Sequence, residues 1–553
     1  MELGLILPKK VDFTFGMELV RVEKFFLALN FFISRLKELE TNEDRLIAFE
    51  SIGFCQMRLK NYSQALTYYE LMGEIDKEKS RYYYCMAELN WSMKQYSNSI
   101  PLYKKALEIT SQNHLEDIIL YRISYCYYIS EQFEQAEKYS TMLVKLKPDN
   151  SSYLNFLGNI YTARLKFKEA IVTFKKVLEV DPTSILANQN IANAHYLQRN
   201  FSKAEYFNKK LLKFPEQKSP VLYNLAQIYL AQEDYKNGWK YFENRFENTL
   251  PISMKQALDK MLEHTKMWDG SSLEDKSLLI ISEQGYGDSL QFIRFISMIP
   301  KNNTKITLLC RPGLEKLFKN VEGIDEIITS EVGSSSSPIS LKTTEEYDYC
   351  VILMSLPYIF DIDSKYKVPS NKYLSVSAED KDMWAQKVGT KYKIGLVFAG
   401  ERSEFFNKWL IDSRRSMKLS NFERVMNIPG TEWYNLTYAK NRPDLQEQID
   451  KYPSLIDYAN EFNDFYDTAC LISNLDLVIG VDTSTIHLSG GLGIPTIMLN
   501  RFDSCWRWGA TGEDNTWYPD MKILRQPEFL IWRPCLDKLY DMIITNLIMT
   551  KFK

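Results

Sequence analysis

Residues 151–181 read SSYLNFLGNIYTARLKFKEAIVTFKKVLEVD, and this stretch decides the fold of the first half of the chain. A small residue, Gly158, lies twelve positions before a second one, Ala170, and the aromatic residues Phe167 and Phe174 flank the second. Small residues let two antiparallel helices cross closely, and aromatic rings fill the wedge between one hairpin and the next. The stretch therefore predicts a helical hairpin.

The same pattern recurs along the first half of the chain. The small residues of the second helix, at successive spacings of 34, 37, 34, 34 and 34, are Ala65, Ser99, Ala136, Ala170, Ala204 and Gly238. Six occurrences in phase resemble the tetratricopeptide repeat, whose period is about 34 residues. We expect an α superhelical repeat array of about six repeats over residues 43–248, after an N-terminal helical cap over residues 1–42. Such arrays usually bind peptide on a concave face, and a spacer or oligomerisation element is the alternative.

Composition narrows the class of protein. The chain has 553 residues and a net charge of -3, so about two to four domains are expected and the overall charge does not favour nucleic acid. No apolar run has the length of a membrane span, and the N-terminus lacks the order of a secretory signal. Eight scattered cysteines and four histidines form no metal-binding pattern. We expect a cytoplasmic protein with reduced thiols and no bound metal.

The pattern changes after Asn248, where short β-branched runs alternate with helical stretches. This alternation predicts mostly parallel sheets, whose ligands bind beyond the carboxyl ends of the strands. We expect a helical junction over residues 249–276, a Rossmann-like lobe over residues 277–385 and a second one over residues 386–553 that ends in a helix. Gly238, Trp239 and Arg245 lie at the join, where the lack of a Gly/Ser-rich tether predicts a rigid connection.

The first candidate site follows the predicted strand Leu278–Ser282. Gln284, Gly285 and Gly287 lie in a turn that lets the backbone approach a ligand, and Asp288 precedes a predicted helix over Leu290–Met298. Asp288 is either the N-cap of that helix or a general base facing a cleft.

The second candidate site follows a buried strand that ends at Val481. Asp482, Thr483, Ser484 and His487 come next, and Thr483 or Ser484 can start a helix whose free N–H groups suit a pyrophosphate. A helix cap and a core histidine are the alternative.

The third candidate site is the segment from Gly400 to Arg415, which also holds Lys408 and Arg414. We expect a flexible basic loop that neutralises phosphates, with a solvated surface loop as the alternative. A cluster of tryptophans, at 506, 508 and 517, indicates either a lid or core packing.

Together these motifs resemble glycosyltransferase family 9, which includes bacterial heptosyltransferases, and in particular the branch in which that domain follows tetratricopeptide repeats. The resembling residues run in order over most of the second half: Glu283–Asp288, Met354–Pro357, Gly395–Gly400, Arg415–Ser416, Asp467–Ala469, Val481–Thr483, His487–Leu488, Trp506–Trp508 and Trp517–Pro519. The resemblance implies a GT-B-type pair of Rossmann-like lobes.

It also implies an inverting, metal-independent transfer of a hexosyl, heptosyl or nonulosonyl group from a nucleotide-sugar to a hydroxyl, without a cofactor. Asp288 is the implied base, and Gln284, Gly285 and Gly287 form the implied acceptor-side loop. The implied donor-binding residues are Gly400, Arg414, Arg415, Asp482, Thr483, Ser484 and His487. Heptosyltransferases often carry a lysine where this chain has Arg414 or Arg415.

The layout is similar to that of enzymes that modify flagellin or adhesins, so we expect a protein acceptor recruited by the concave face of the repeats. One alternative is an acceptor on lipopolysaccharide or another glycan. Another is a binding scaffold whose transferase domain is inactive. The sequence names neither the sugar, the nucleotide nor the oligomeric state.

Overall fold

The computed structural model describes residues 11–76, 80–109, 116–248, 252–330, 346–400, 406–440 and 442–551. Helices occupy the first half of the chain. They are α1 Thr14–Arg21, α2 Phe25–Arg35, α3 Asn42–Arg58, α4 Tyr62–Asp76, α5 Ser80–Ser92, α6 Tyr96–Ile109, α7 Glu116–Ile129, α8 Phe133–Leu146, α9 Ser151–Ala163, α10 Phe167–Val180, α11 Ile185–Leu197, α12 Phe201–Lys210, α13 Lys218–Ala231, α14 Tyr235–Phe242, α15 Arg245–Asn248 and α16 Ile252–Met261.

The expected small residues lie where two helices of a hairpin cross. A Cβ added to Gly158 of α9 would fall against the ring of Phe174 of α10, and one added to Gly53 of α3 would fall against Tyr69 of α4. Ala170 has no exposed surface. The rings of Tyr69 and Phe174 therefore fill the space that a glycine leaves within the same hairpin, whereas the sequence pattern placed such rings between one hairpin and the next.

The chain divides into two compact units. The first ends at Ala194 and the second begins at His195, so the division falls within α11. The second unit contains α12, the hairpin of α13 and α14, and all of the strands. The last complete repeat therefore belongs to the same compact unit as the α/β region.

The α/β region adds eleven strands and ten helices among the described residues. In chain order they are β1 Lys266–Met267, β2 Ser277–Ile281, α17 Tyr286–Phe292, β3 Lys305–Cys310, α18 Glu315–Phe318, β4 Glu326–Thr329, β5 Tyr349–Ile352, α19 Leu356–Ile359, α20 Ala378–Ala385, β6 Tyr392–Val397, α21 Phe406–Arg415, α22 Glu423–Met426, β7 Thr431–Asn435, α23 Pro443–Asp450, β8 Leu455–Ile456, α24 Phe465–Ile472, β9 Leu477–Val481, α25 Ser484–Gly491, β10 Thr496–Asn500, β11 Met521–Arg525 and α26 Arg533–Lys551.

The strands form two parallel sheets. The first has the order β1-β5-β2-β3-β4, and the second has the order β11-β10-β9-β6-β7-β8. In the first sheet Leu278 pairs with Tyr349 and with Ile306, and in the second Gly395 pairs with Val478. Because all the strands of a sheet run the same way, their carboxyl ends meet at one edge, where ligands of such sheets bind.

Three sequence expectations need correction. Helix α17 begins at Tyr286 rather than at Leu290, and a 3-10 turn continues it over Ile293–Met298. The final helix, which the sequence predicts from Pro527 to Thr550, begins at Arg533. The strand β11, which the sequence did not predict, precedes it. Residues 406–415 are helical, so the expectation of a flexible loop is wrong there. The backbone amide of Ser416 bonds the carbonyl of Asp412 at 2.8 Å and closes the end of that helix.

The join between the last repeat and the first sheet depends on Arg245, whose side chain is completely buried. Its guanidinium donates to Glu283 Oε1 at 2.7 Å and to Ser355 Oγ at 2.8 Å. Glu283 lies just after β2 and Ser355 just after β5. A second carboxylate, that of Glu243, accepts from Arg245 Nη1 at 2.6 Å and from Ser355 at 2.8 Å. One side chain thus ties the last repeat to the carboxyl ends of two neighbouring strands.

Aromatic packing surrounds this network. The ring of Trp239, on α14, lies edge-on to Phe292 of α17 at 5.9 Å between centroids and to Trp506 at 5.5 Å. Trp239 is only 2% exposed. Residues of α14 therefore lie in the same hydrophobic core as α17.

We predict that Arg245→Ala strongly destabilises the second unit. Removing one partner of a buried ion pair leaves the other charge buried without compensation, which costs about 3–5 kcal/mol. Thermal unfolding of the full chain should show a lower midpoint for Arg245→Ala. The matched control is Arg424→Ala, which removes an arginine 53% exposed in its ion pair with Asp537 and should have little effect. Equal midpoints for the two variants would contradict the importance of the network.

Candidate functional site

The turn after β2 positions the first candidate residues. Gln284 has a φ of +61°, a left-handed conformation that reverses the chain, and Gly285 is the N-cap of α17. Asp288 is the third residue of the helix, and its Oδ2 accepts from the amide of Gly285 at 2.9 Å. Asp288 therefore is not the N-cap itself, although its carboxylate satisfies an amide at the helix start.

The other oxygen of Asp288 forms an ion pair with Arg507, which follows β10. Arg507 also donates to Gln291 Oε1 at 2.7 Å and to Cys505 Sγ at 3.3 Å. The side chains of Asp288 and Arg507 are 21% and 11% exposed. Burial opposes the charge of Arg507, yet the nearby Asp288 raises its pKa above the ordinary value.

Sequence reasoning did not assign a role to Arg507. The signal was present, because an arginine lay between two tryptophans in the motif Trp506–Trp508. An arginine between two large apolar residues can be buried together with them, and a buried charge needs a partner. The structure settles the tryptophans as core residues, since Trp506, Trp508 and Trp517 are 5%, 2% and 1% exposed.

The start of α25 forms the second part of the candidate site. Thr483 is the N-cap, and Ser484 is the first residue of the helix. The hydroxyl oxygen of Thr483 is buried and has no hydrogen-bond partner. A helix N-terminus carries free N–H groups and a partial positive charge, so this end of α25 suits an anion.

His487, the fourth residue of α25, is part of the core. Its Nδ1 lies 2.8 Å from the hydroxyl of Tyr518, and its ring stacks on Trp508 at 5.1 Å. Burial, and then the charge of Arg507, lower the pKa of His487 to about 3. The imidazole is therefore neutral near pH 7 and supports the packing, as the core-histidine alternative predicts.

The turn after β2 and the helix α25 touch at Gly287. A Cβ at this position would lie 3.0 Å from Cδ2 of His487 and 3.5 Å from the Cα of Ser484. The lack of a side chain at Gly287 therefore lets α17 and α25 approach each other. This contact brings Asp288 and the start of α25 into one region.

Arg415 lies beside the start of α25. It donates to the carbonyl of Asp482 at 2.9 Å and to Asp412 at 3.1 Å, and its side chain is 24% exposed. A Cβ on Gly400 would overlap its guanidinium. Gly400 therefore leaves the space that the guanidinium occupies, and the structure brings together three of the predicted donor-binding positions.

Arg414 points elsewhere. It forms an ion pair at 2.8 Å with Asp503, beyond the carboxyl end of β10, and its side chain is 11% exposed. Burial holds the pKa of Arg414 below its ordinary value. The structure therefore does not bring Arg414 to the partners of Arg415. The side chain of Lys408 lies outside the described residues.

Metal-binding clusters and membrane-spanning helices are both absent from the described part of the chain. No group of three or more His, Cys, Asp or Glu side chains there has an arrangement that would hold a metal ion. No helix within the described ranges has both the length and the apolar character of a membrane span.

Comparison with known proteins supports the repeats. A family model described as "Tetratricopeptide repeat" matches residues 80–113 and 151–184. These are two of the six expected repeats, so the first half contains tetratricopeptide repeats, a type of unit that generally mediates contacts between proteins.

Among solved structures the chain resembles YrrB, described as a TPR protein with an unusual peptide-binding site, at 20% identity over 34% of this chain and 94% of that one, with a TM-score of 0.29. It also resembles the C-terminal part of a TPR protein from Cytophaga hutchinsonii, at 18% identity over 43% and 95%, with a TM-score of 0.36. PilF of Pseudomonas aeruginosa matches at 17% identity over 40% and 99%, with a TM-score of 0.31. All three TM-scores lie below 0.5.

The match to one curated relative is longer than the repeat region. Protein FlbA of Caulobacter vibrioides is 25% identical over 345 residues, which cover 59% of this chain and 55% of that protein. The chain thus spans about half the length of this curated relative.

We predict that His487 does not titrate between pH 8 and pH 5. Its pKa of about 3 lies below the ordinary 6.5, so its contribution to stability is complete above pH 6.5 and is lost as the pH falls toward 3. The measurement is NMR of the full chain with labelled histidine, in which four signals are expected. His487→Asn assigns the signal, and a midpoint for it near 6.5 would show that the ring is not buried as described.

Proposed function

We propose that the second half of the chain is an inverting, metal-independent glycosyltransferase of the GT-B type. It would transfer a sugar from a nucleotide-sugar to a hydroxyl group of a protein. One observation carries the proposal: the guanidinium of Arg415 donates a hydrogen bond to the carbonyl of Asp482, at the start of α25. A guanidinium beside a helix N-terminus can neutralise the phosphates of a leaving nucleotide without a divalent ion.

The unpartnered hydroxyl of Thr483 supports the same placement. A buried hydroxyl without a hydrogen bond is unfavourable, and a phosphate oxygen would accept from it. Arg442 also lies nearby, since it donates to the carbonyl of Gly400 at 3.2 Å, and its own charge is paired with Asp444 at 2.8 Å. We infer that the donor's phosphates bind between Gly400, Arg415, Thr483 and Ser484.

Asp288 is the proposed general base. Each carboxylate oxygen has two lone pairs, and one of these on each oxygen is taken by Gly285 or by Arg507. The remaining lone pairs can accept the proton of an acceptor hydroxyl. Arg507 favours the ionised carboxylate, which keeps the base in its active form but makes it intrinsically weaker. The chemistry would be a single displacement, in which the acceptor oxygen bonds the sugar as the nucleotide leaves with the phosphate oxygen.

The ion pair also favours a second candidate function. A catalytically inactive domain could retain an aspartate that is paired with an arginine. The chain would then act as a binding scaffold through its repeats. Tetratricopeptide repeats support protein binding in either case. Turnover of a nucleotide-sugar separates the two functions.

We predict that Asp288→Asn abolishes most turnover and leaves donor binding intact. A general base contributes about 10²–10⁴ in rate, and Asn preserves the size of the side chain. The measurements are kcat for release of the nucleotide and the intact mass of the protein acceptor. Asp361→Asn is the matched control, because that carboxylate is 79% exposed in its contact with Lys367. Full kcat in Asp288→Asn would remove the aspartate from the mechanism, and absence of turnover in the wild type would favour the scaffold.

We predict that Arg415→Ala weakens nucleotide binding by about 10–100-fold, which is the loss of one charge-assisted hydrogen-bonding group. Isothermal titration calorimetry with nucleoside mono- and diphosphates measures this change. EDTA should leave the affinity of the wild type unchanged. A strict requirement for Mg²⁺, or unchanged affinity in Arg415→Ala together with a loss in Arg424→Ala, would contradict the proposed phosphate site.

A further inference from the structure

A second cluster of arginines lies at the carboxyl ends of β10 and β11, and neither the proposed base nor the proposed phosphate site uses it. Arg414 and Arg501 both bond the same oxygen of Asp503, at 2.8 and 3.2 Å. The three side chains are 11%, 8% and 2% exposed. Two buried guanidinium groups therefore share one carboxylate, and the trio carries a net charge of about +1.

The hydrogen bonds of this cluster are incomplete. The Nε atoms of Arg414 and Arg501 are buried and have no partner, and neither has Nε2 of Gln526. Gln526 follows β11, is 3% exposed and is fixed by accepting from the amide of Phe502 at 3.0 Å. Three donors from three separate segments thus end at one edge of the sheet without an acceptor.

A third arginine extends the positive charge. Arg199, in the turn after α11, places its guanidinium 5.9 Å from the ring centre of Phe502, and its Nη2 is buried without a partner. Two acceptors are also unpartnered, Oδ1 of Asp503 and Oδ1 of Asn500. Donors nevertheless outnumber acceptors, and the charge is positive, so the arrangement favours an anion over a neutral ligand.

We propose that Arg414, Arg501 and Gln526 form a second oxyanion site, which takes a phosphate or carboxylate group. Burial of unpaired charge is costly, and an oxyanion would supply both the missing charge and the missing acceptors. The carboxyl edge of a parallel sheet is where such ligands bind. Within the described contacts, Arg415 and Arg414 share no partner, so this site is separate from the proposed phosphate site and does not depend on the proposed glycosyltransferase activity.

Two probes distinguish the source of the oxyanion in the full-length protein. Inorganic phosphate represents a phosphate group and D-glucuronate represents a sugar carboxylate, and calorimetry measures the affinity of each. Arg501→Gln should weaken binding of at least one probe by about tenfold or more, whereas Lys522→Gln, which removes an exposed charge of the same sign, should not. Arg415→Ala should retain the part of the binding that Arg501→Gln loses, and glucuronate binding reports this without a contribution from the proposed phosphate site. Sensitivity of phosphate alone identifies a phosphate site, and sensitivity of glucuronate identifies a carboxylate site.

Asp503→Asn should change the affinity for the probe in the opposite direction. It tests the proposal if Arg501→Gln folds poorly. It removes the carboxylate that competes with the ligand, so the same probe should bind more tightly and should raise the melting temperature more than in the wild type. A purely structural ion cluster would lose stability in both variants, whether or not an anion is added. That result, or a wild-type protein that binds neither probe, would overturn the proposal.

Discussion

The buried guanidinium of Arg245 is the constraint on which the arrangement of the second unit depends. A fully buried arginine is costly unless each donor finds an acceptor, and here the acceptors come from three segments: α14's end, the turn after β2 and the turn after β5. The end of the repeat array and the carboxyl edge of the first sheet are therefore fixed to one another. The turn that begins at Glu283 continues into Gly285 and Asp288, so the same ion pair also fixes the start of the candidate site.

From that edge, charge and close packing organise the rest of the region. The lack of a side chain at Gly287 allows α17 to contact α25. Arg507 forms an ion pair with Asp288, and Arg415 donates a hydrogen bond to the carbonyl of Asp482. Asp288 is paired with Arg507 and Arg415 with Asp412, while the buried hydroxyl of Thr483 has no hydrogen-bond partner. The start of α25 therefore has a buried hydroxyl donor that lacks acceptor atoms. A nucleotide's phosphates would supply those atoms.

The sequence predicted the repeats well because their signal is local and periodic. A small residue about every 34 residues marks a helix crossing, and Gly158 and Ala170 lie at one. It also predicted where the strands β2 and β9 end, since apolar runs stop at polar turns. It could not predict that Arg414 and Arg415, which are adjacent in the chain, diverge toward Asp503 and Asp482. Successive residues of a helix point about 100° apart, and only the fold decides what each one meets. Arg507 was missed for the same reason, because its partner lies 219 residues away.

The central claim is that nucleotide phosphates bind at the start of α25 beside Arg415. Hydrogen–deuterium exchange of the full chain, with and without a series of nucleoside mono- and diphosphates and without added metal, tests it most directly. At least one nucleotide should slow exchange of the amides in residues 481–488 and 412–417, because phosphate oxygens would accept from the free N–H groups of the helix start. Slower exchange confined to other segments, or no change with any nucleotide, would contradict the claim.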